Sequence, residues 1–404
     1  MKMPVAPTNT NNVTCPACGM LCDDITITSK SPVKISNGCI KSVAFFEQTI
    51  ANTQPQIAGK PVDLSNAIKH AAAILQQSQH PFFAGLGTEV HGMRALLTLA
   101  EKTGATLDHM HSGASVRNTL ALQNSGWQTT TLTEIKNRAD LIVAIGTDIV
   151  SSHPRFLEKL VHNEQSLFNK PKPEVHYLGV DTPEHLPEIL NVLNALASNN
   201  KVLVDQINGI TIASLKTLLE KIHAAHYAVL VWSASKLDYP HAELSIQSIT
   251  RLISKLNETT RVAGLPLNSG DGDTSVSNTC TWRTGSTANI RFMGKVTVNE
   301  SIAEYKPYRY SANQSLQHCD SLLWISTLSE APPPSSDLPM IVIGHPNMQF
   351  TRIPEVFIPV GIPGLDHTGI MFRLDSAVSL PLKRVRQSEL PTLAYVLHQI
   401  SEAL

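Results

Sequence analysis

Short, continuously apolar runs alternate along most of the chain with segments whose apolar residues recur at helical spacing. The runs are RADLIVAIGTD, EVHYLGVD, HYAVLVWSAS, RVAGLP, SLLWIST, PMIVIGHP and PEVFIPV. Because their hydrophobicity is continuous rather than alternating, the strands are expected to be buried on both faces, as in parallel sheets covered by helices. The pattern therefore predicts an α/β fold with doubly wound, mainly parallel sheets.

The chain has 404 residues, more than one core usually organises, so several domains are expected. We predict a Cys-rich N-terminal module with a linker over 1–62, a first α/β domain over 63–205 and a second over 206–350. The remaining residues, 351–404, are predicted to pack back on the α/β domains. Doubly wound sheets bind ligands beyond the carboxyl ends of their strands, so the loops after the apolar runs are the expected place for chemistry.

Charge and hydropathy argue against two classes of partner. A net charge of -1 gives no electrostatic basis for binding nucleic acid or an anionic membrane. No apolar run approaches the roughly 20 residues that a membrane-spanning helix needs. The opening residues, MKMPVAPTNTNN, lack the apolar core of a signal peptide. We therefore expect a cytoplasmic protein that binds neither nucleic acid nor membrane.

Four cysteines lie close together near the N-terminus: Cys15, Cys18, Cys22 and Cys39 follow a C-x2-C-x3-C-x16-C spacing. In a reducing cytosol such a cluster indicates a metal site rather than disulfides. Four thiolates can hold a [4Fe–4S] cluster or a zinc ion. Three close cysteines plus one distant cysteine favour iron–sulfur, while zinc and an empty, reduced site stay open as alternatives.

Several separate motifs together resemble one known family. They are CPACGMLCDDI, NGCIKSVAFF, LTEIKNRADLIVAIGTDIVSSHPRF, TWRTG and PEVFIPVGIPGLDHTGIMFRLD, and they occur in the family's order. They resemble the B subunit of formylmethanofuran dehydrogenase, within the wider group of molybdopterin oxidoreductases. The resemblance implies the fold of that group, in which a Cys-rich module accompanies doubly wound α/β domains.

The resemblance also implies a metal centre, from which this sequence departs. In the archaeal enzyme, two pterin guanine dinucleotides and a cysteine or selenocysteine hold tungsten or molybdenum beside a [4Fe–4S] cluster. The matching segment here is HMHSGAS, in which His111 occupies the ligand position and Ser112 that of the following histidine. A pterin-bound metal suits a soft thiolate, whereas imidazole is a harder, neutral donor. We therefore expect no working metal–pterin centre; His111 is either an altered metal-site residue or a hydrogen-bonded loop histidine.

Three further residues are candidates for cofactor binding. Lys41, two residues beyond Cys39, can stabilise an anionic cluster or bridge it to a pterin, unless it is a solvated lysine at a helix start. His153 and Arg155 follow a predicted strand, and the arginine can bind a pterin phosphate bidentately or anchor a neighbouring protein of the assembly. The polar, Gly-rich stretch 268–278 is predicted to be a flexible loop over the pterin cavity or a contact with such a neighbour.

Bacteria that oxidise methanol or methylamine contain a related assembly, the formyltransferase/hydrolase complex of A, B, C and D subunits. It moves a formyl group from formyl-tetrahydromethanopterin to a methanofuran-type carrier and hydrolyses it to formate. The stretch LDHMHSGAS resembles the bacterial form more than the archaeal one. The resemblance implies a redox-inactive scaffold, the B subunit of such a complex, with A-, C- and D-type partners that handle the carrier. An active metal–pterin dehydrogenase subunit with a [4Fe–4S] cluster is the alternative, and a free-standing zinc-stabilised binding protein is a third hypothesis.

Overall fold

The structure is a computed structural model that describes residues 10–168, 170–297 and 300–404. Residues 1–9, which carry most of the stretch used above to judge targeting, lie outside the described residues. The strands, in chain order, are β1 (Thr10–Val13), β2 (Ile25–Lys30), β3 (Val33–Ser36), β4 (Gln56–Ile57), β5 (Lys60–Pro61), β6 (Pro81–Gly87), β7 (Thr106–His109), β8 (Leu141–Ile145), β9 (Glu174–Leu178), β10 (Gln206–Ile207), β11 (Ile210–Thr211), β12 (Ala228–Ser233), β13 (Val262–Leu267), β14 (Ile290–Thr297), β15 (Glu300–Tyr305), β16 (Ser321–Ser326), β17 (Met340–Gly344), β18 (Val356–Pro359), β19 (Gly369–Phe372) and β20 (Ser379–Leu382).

The helices follow most of the strands, and several of them are capped. They are α1 (Ile40–Phe46), α2 (Leu64–Gln77), α3 (Val90–Thr103), α4 (Ser112–Ser125), α5 (Leu132–Arg138), α6 (Ile149–Ser152), α7 (Phe156–Leu160), α8 (Leu186–Ala197), α9 (Ile212–Ala224), α10 (Ala242–Leu256), α11 (Asp273–Thr284), α12 (Ala312–Ser315) and α13 (Leu393–Ala403). Asp63 caps α2 by accepting a hydrogen bond from the backbone of Asn66, and Gly104 ends α3 in the left-handed conformation. No helix in the described ranges is long and apolar enough to cross a membrane.

Two compact units make up the chain: one combines residues up to Ser112 with Gly270–Leu404, and the other is Gly113–Ser269. These bounds differ from the predicted division into 63–205 and 206–350. The reason is that β6 and β7 pair with strands that come much later in the chain, after the second unit has been completed. Apolar runs indicate that strands exist, but they do not indicate which strands are neighbours.

The first unit is built on a nine-stranded sheet in the order β15-β14-β7-β6-β16-β17-β18-β4-β5. Its central strands, β7, β6, β16, β17 and β18, are parallel. Antiparallel hairpins extend it at both edges, β14 with β15 on one side and β4 with β5 on the other. Among these parallel strands, β6 comes first in the chain but does not lie at the edge. The next strand, β7, lies on one side of it, and β16, β17 and β18 follow on the other side. The direction of winding therefore reverses between β6 and β16.

Both faces of this sheet are buried, which explains the continuous hydrophobicity of its strands. The adjacent residues Phe82 and Phe83 in β6 are each 0% exposed because they face opposite cores. Phe83 belongs to the core formed with α2, α3 and α13, whereas Phe82 packs in a second core with Trp324 and Phe357. The predicted α/β class with mainly parallel sheets is confirmed, and helix α13 packs on α2 and α3.

The second unit contains a four-stranded parallel sheet in the order β13-β12-β8-β9. Its core includes Trp232 of β12, which is fully buried and donates its indole N–H to Asn118 Oδ1 at 2.9 Å. The winding again reverses inside the sheet, between β8 and β12, because β9 lies on the outer side of β8. This unit therefore repeats the doubly wound plan on a smaller scale.

The N-terminal module is a three-stranded antiparallel sheet, β1-β2-β3, followed by α1. Its apolar residues share one core with Ile362, Leu365 and Val385, which follow β18 in the chain. The module is thus part of the first unit, and it packs against segments that follow the carboxyl end of a central strand.

Candidate functional site

The carboxyl edge of the nine-stranded sheet collects the polar loops that the sequence analysis singled out. At the reversal between β6 and β16, the backbone N–H and the hydroxyl of Thr327 both donate to the Gly87 carbonyl, at 2.7 and 3.0 Å. The two loops that diverge there are the usual place for a ligand in a doubly wound sheet. The cysteine loop and the segment around His111 both lie near these loops.

The cysteine loop connects β1 to β2 and is closed by its own backbone. The Cys15 N–H donates to the Cys22 carbonyl at 2.9 Å, and the Leu21 N–H donates to the Cys18 carbonyl at 3.3 Å. Leu21 adopts a left-handed φ of 46°, which turns the chain tightly enough to bring its ends together. The three closely spaced cysteines are therefore folded into one compact loop.

The fourth cysteine reaches the same place from the start of α1. The Sγ atoms of Cys15 and Cys39 each lie 3.4 Å from Oγ of Ser42, a residue that is 1% exposed. The sequence spacing gave no reason to single out Ser42. Cys15 of the N-terminal loop and the distant Cys39 thus contact the same buried hydroxyl.

The surroundings of two of these thiols, Cys15 and Cys18, favour the protonated form unless a metal replaces the proton. Burial raises the pKa of Cys15 to about 12. Burial also raises the pKa of Cys18, although a backbone hydrogen bond and the nearby charge of Lys41 act in the opposite direction. Among the described residues, no group of three or more His, Cys, Asp or Glu side chains was found that could hold a metal ion. The metal assignment of the four cysteines therefore stays a prediction.

The cysteine loop is fixed against the segments that surround the sheet edge. The Leu374 N–H donates to the Gly19 carbonyl at 2.8 Å. Leu21 packs in a small apolar cluster with Leu328 and Met371. Since Leu328 lies just beyond the end of β16, the loop sits close to the reversal point of the sheet.

The HMHSGAS segment spans the end of β7 and the beginning of α4. His109 is the last residue of β7 and is 3% exposed. Its Nδ1 accepts a hydrogen bond from the His111 N–H at 3.0 Å, so its Nε2 is the nitrogen that donates to the Asp271 carbonyl at 3.3 Å. The side chain of His111 extends to the same residue, with Nε2 2.8 Å from Asp271 Oδ2.

The surroundings of the His111–Asp271 pair favour opposite charges on its two side chains. Burial opposes protonation of His111, but the hydrogen bond to Asp271 and the negative charges of Asp271 and Asp273 outweigh it, so the pKa of His111 is raised. Burial also disfavours the charged form of Asp271, yet its hydrogen bonds to His111 and Ser329 hold its pKa below the usual value. Burial lowers the pKa of His109. These shifts favour an imidazolium at position 111 bound to the Asp271 carboxylate, and they favour the neutral form of the adjacent His109.

A turn of unusual backbone conformation presents Asp271. The φ angles of Gly270, Asp271 and Gly272 are 114°, 49° and 73°. A Cβ atom on Gly272 would lie 2.4 Å from the Thr88 carbonyl oxygen, so only glycine fits there. Helix α11 begins immediately afterwards at Asp273. The prediction of a loop across 268–278 was therefore wrong for its second part, where an acidic residue in the first turn favours the helix.

Asp108 is a further buried acid beside this cluster, and sequence reasoning did not identify it. It is 2% exposed and accepts hydrogen bonds from Asn289 Nδ2 and the Ala312 N–H, both at 2.6 Å. Burial raises its pKa to about 7. Asp108 thus ties the end of β7 to the segments on either side of the β14–β15 hairpin.

His153 and Arg155 lie in the second unit and have partners there. His153 is 2% exposed, with Nε2 2.8 Å from Asn268 Oδ1 and Nδ1 2.9 Å from Ser152 Oγ. Arg155 is also buried and binds Glu158 bidentately, through Nε at 2.9 Å and Nη2 at 2.6 Å. Both side chains are thereby engaged within the second unit, and their predicted role in cofactor binding stays a prediction.

Known proteins that resemble this chain include B subunits of two kinds of assembly. No family model matches it. The B subunit of the tungsten-containing formylmethanofuran dehydrogenase 2 of Methanocaldococcus jannaschii is 25% identical over 411 residues, covering 93% of each chain. The B subunit of the formyltransferase/hydrolase complex Fhc of Methylorubrum extorquens is 28% identical over 374 residues, covering 86% of this chain and 97% of the relative. The chain is a homologue of these B subunits.

The fold of this chain agrees with the relationship. The crystal structure of the formyltransferase/hydrolase complex FhcABCD from Methylorubrum extorquens, in complex with methylofuran, contains a chain that superimposes with a TM-score of 0.71. The two chains are 23% identical, and the match covers 86% of this chain and 98% of the other. At this identity the likeness shows a shared fold.

Sequence reasoning located the chemistry-bearing residues of this chain only in part. It placed Cys15 and Cys39 together, and it drew attention to His111. It missed Asp271 because an acid between glycines in a polar stretch is also typical of a flexible loop. It missed Ser42 and Asp108 because a buried polar residue inside an apolar pattern leaves no signal of what it contacts.

Proposed function

We propose that this chain serves as the B-type component of a formyltransferase/hydrolase complex in one-carbon metabolism, on the route from formaldehyde to formate. It assembles in the cytoplasm with A-, C- and D-type subunits, and those partners bind the methanofuran-type formyl carrier and carry out transfer and hydrolysis. The chain itself acts as a redox-inactive scaffold. Support comes from the two kinds of B-type relative and from the fold shared with a chain of the complex that contains methylofuran.

The observation that carries the redox-inactive assignment is the ion pair of His111. Where the resemblance to the archaeal enzyme implies a cysteine or selenocysteine ligand, this chain has an imidazole whose Nε2 lies 2.8 Å from Asp271 Oδ2. A protonated imidazole has no free lone pair, and even the neutral ring lacks the soft character of a thiolate. The residues present therefore do not fit a tungsten or molybdenum ion held by a pterin dithiolene.

In contrast, the cysteine set has the residue type and spacing of an iron–sulfur site, and we propose a [4Fe–4S] cluster there as a structural group. Cys15, Cys18, Cys22 and Cys39 would hold it, one cysteine to each iron. Buried thiols of this kind ionise readily only when bound metal supplies positive charge, and Lys41 adds a further positive charge near Cys18. Such a cluster would supply cross-links between the β1–β2 loop and the start of α1.

The test is to purify the native assembly anaerobically through a tag on this chain and to identify its components. We expect A-, C- and D-type subunits, formyl transfer and hydrolysis activity, iron with acid-labile sulfide, and no stoichiometric tungsten or molybdenum. Stoichiometric tungsten or molybdenum in this chain would contradict the scaffold proposal. A tagged chain that purifies as a monomer under gentle conditions would contradict the proposed assembly.

The intact set of four cysteines supports a second candidate, an active metal–pterin dehydrogenase subunit. A dehydrogenase would use a cluster at these cysteines to carry electrons. This candidate predicts viologen-linked oxidation of the formyl carrier by the same anaerobic preparation. If the assembly still hydrolyses the formyl group from the carrier but lacks this oxidation activity, the dehydrogenase candidate is excluded.

A further inference from the structure

Ser42 occupies a position between two of the four clustered cysteines. It lies in the first turn of α1, three residues after Cys39 and 27 residues after Cys15. Its Oγ is 3.4 Å from the sulfur of each, and the residue is 1% exposed. A buried hydroxyl in such a place is shielded from water, so its hydrogen bonds are made to these sulfur atoms.

The backbone around Ser42 is packed so that the hydroxyl has little freedom to move away. A Cβ atom on Gly38 would lie 2.9 Å from Ser42 Cβ and 2.6 Å from Ile35 Cδ1. The chain leading into Cys39 therefore lies directly against Ser42 and β3. The Val43 N–H donates to the Cys39 carbonyl at 2.9 Å, which fixes the first turn of the helix in the same place.

Cluster binding would change the direction of these hydrogen bonds. In the free chain, the Cys15 thiol can donate to the Ser42 oxygen. A cysteine bound to iron is a thiolate and has lost that proton, so it can only accept. The Ser42 hydroxyl then becomes the donor, and its single proton can reach Cys15 or Cys39.

We propose that Ser42 is a positioning residue that donates a hydrogen bond to a cysteinyl sulfur of the cluster bound by Cys15 and Cys39. The proposal rests on the [4Fe–4S] cluster proposed above. A hydrogen bond to a cluster sulfur offsets negative charge, so it stabilises the reduced cluster and raises its reduction potential. It also orients the ligands, and loss of such a supporting contact weakens metal binding by about 10-fold or more.

The experiment compares Ser42→Ala with Ser36→Ala in the anaerobically purified full chain. Ser36 is an exposed serine in β3 of the same module, so it controls for the substitution itself. Iron and acid-labile sulfide are measured first, followed by the rate of iron release to a chelator and the midpoint potential. We expect Ser42→Ala to release iron about 10-fold faster and to have a more negative potential. Ser36→Ala should match the wild-type chain.

Two failures are distinguishable. A wild-type chain without iron and sulfide overturns the proposed cluster, whatever Ser42 does. A wild-type cluster whose iron release and potential are the same in Ser42→Ala overturns the role of Ser42 and leaves the cluster in place. Both properties are measured because a side chain with only a packing role would not shift the potential in the expected direction.

A measurement on the wild-type chain covers the case in which Ser42→Ala does not fold. Resonance Raman spectra of the iron–cysteinate stretching bands are recorded in H2O and after exchange into D2O. A hydroxyl donor to a cysteinyl sulfur is exchangeable, so these bands should shift. Bands that do not move after complete exchange overturn the proposal.

Discussion

The Nε2 atom of His111 lies 2.8 Å from Oδ2 of Asp271, which joins the end of β7 to the glycine-flanked turn before α11. His109 lies against the same turn, through its hydrogen bond to the Asp271 carbonyl at 3.3 Å. The imidazole at the position that the family resemblance assigns to a metal ligand is therefore an ion-pair partner that holds two loops together. Because the imidazole is bound to Asp271, the side chain at this position is already engaged by the protein itself.

Asp271→Asn should lower the pKa of His111 and remove stability in a pH-dependent way. Because the folded-state pKa of His111 is raised, its contribution is fully present below the unfolded pKa of about 6.5 and is lost as pH rises through the folded pKa. The free energy of unfolding of the variant should thus be lower than that of wild type by about 1 kcal/mol near pH 6, and by less near pH 9. The figure of about 1 kcal/mol allows for solvent screening, because His111 is partly exposed. Urea unfolding at both pH values, with the exposed Asp337→Asn as control, measures the difference. An equal loss at both pH values would contradict the charged pair.

Cys18→Ser should lower the iron content of the anaerobically purified chain, because one of four cluster ligands is removed. Cys319→Ser, which alters a cysteine far from the cluster in sequence, is the control and should keep wild-type iron. Iron and sulfide analysis gives the readout, and circular dichroism checks that both variants fold. A folded Cys18→Ser chain with unchanged iron would show that Cys18 is not a ligand.

Gly272→Ala should destabilise the first unit by about 3 kcal/mol, since the methyl group meets the Thr88 carbonyl oxygen and the φ of 73° is unfavourable for alanine. Gly209→Ala is a matched control: its φ is 79°, but a Cβ there meets nothing within 4 Å. The control should lose only about 1 kcal/mol. Urea unfolding followed by circular dichroism compares the two. Equal losses would mean that the close approach to Thr88 is relaxed easily.

Arg386→Met should destabilise the chain by about 3–5 kcal/mol, because it leaves a buried carboxylate without its partner. Arg386 Nε lies 2.6 Å from Asp366 Oδ1, and the Asp366 side chain is 0% exposed. Arg138→Met, which breaks an exposed pair, should change stability by less than about 1 kcal/mol. Adding Asp366→Asn to Arg386→Met should recover part of the loss. A double variant as unstable as the single one would argue against an electrostatic origin.

Sequence reasoning found the residues whose chemistry is recognisable from their type and spacing. It missed the residues whose role depends on a partner that only the fold brings into contact. Cysteine spacing indicated a cluster because few other arrangements use four thiols. Sequence reasoning did not identify Asp271, because its partner His111 is 160 residues away in the chain. It did not identify Ser42 as a partner of Cys15, which is 27 residues away. A polar residue in a loop or helix looks the same whether or not such a partner exists.

By itself, the sequence determined the α/β class, the approximate places of the buried strands and the residue types at the cysteine loop and at position 111. These follow from local properties, since hydrophobic periodicity and side-chain chemistry act over a few neighbouring residues. Only the tertiary structure decided that Gly113–Ser269 forms a unit of its own between β7 and α11, and that Asp271 and Ser42 complete the clusters around His111 and Cys15. Strand order and long-range contacts depend on how whole surfaces pack together, and no short stretch of sequence contains that information.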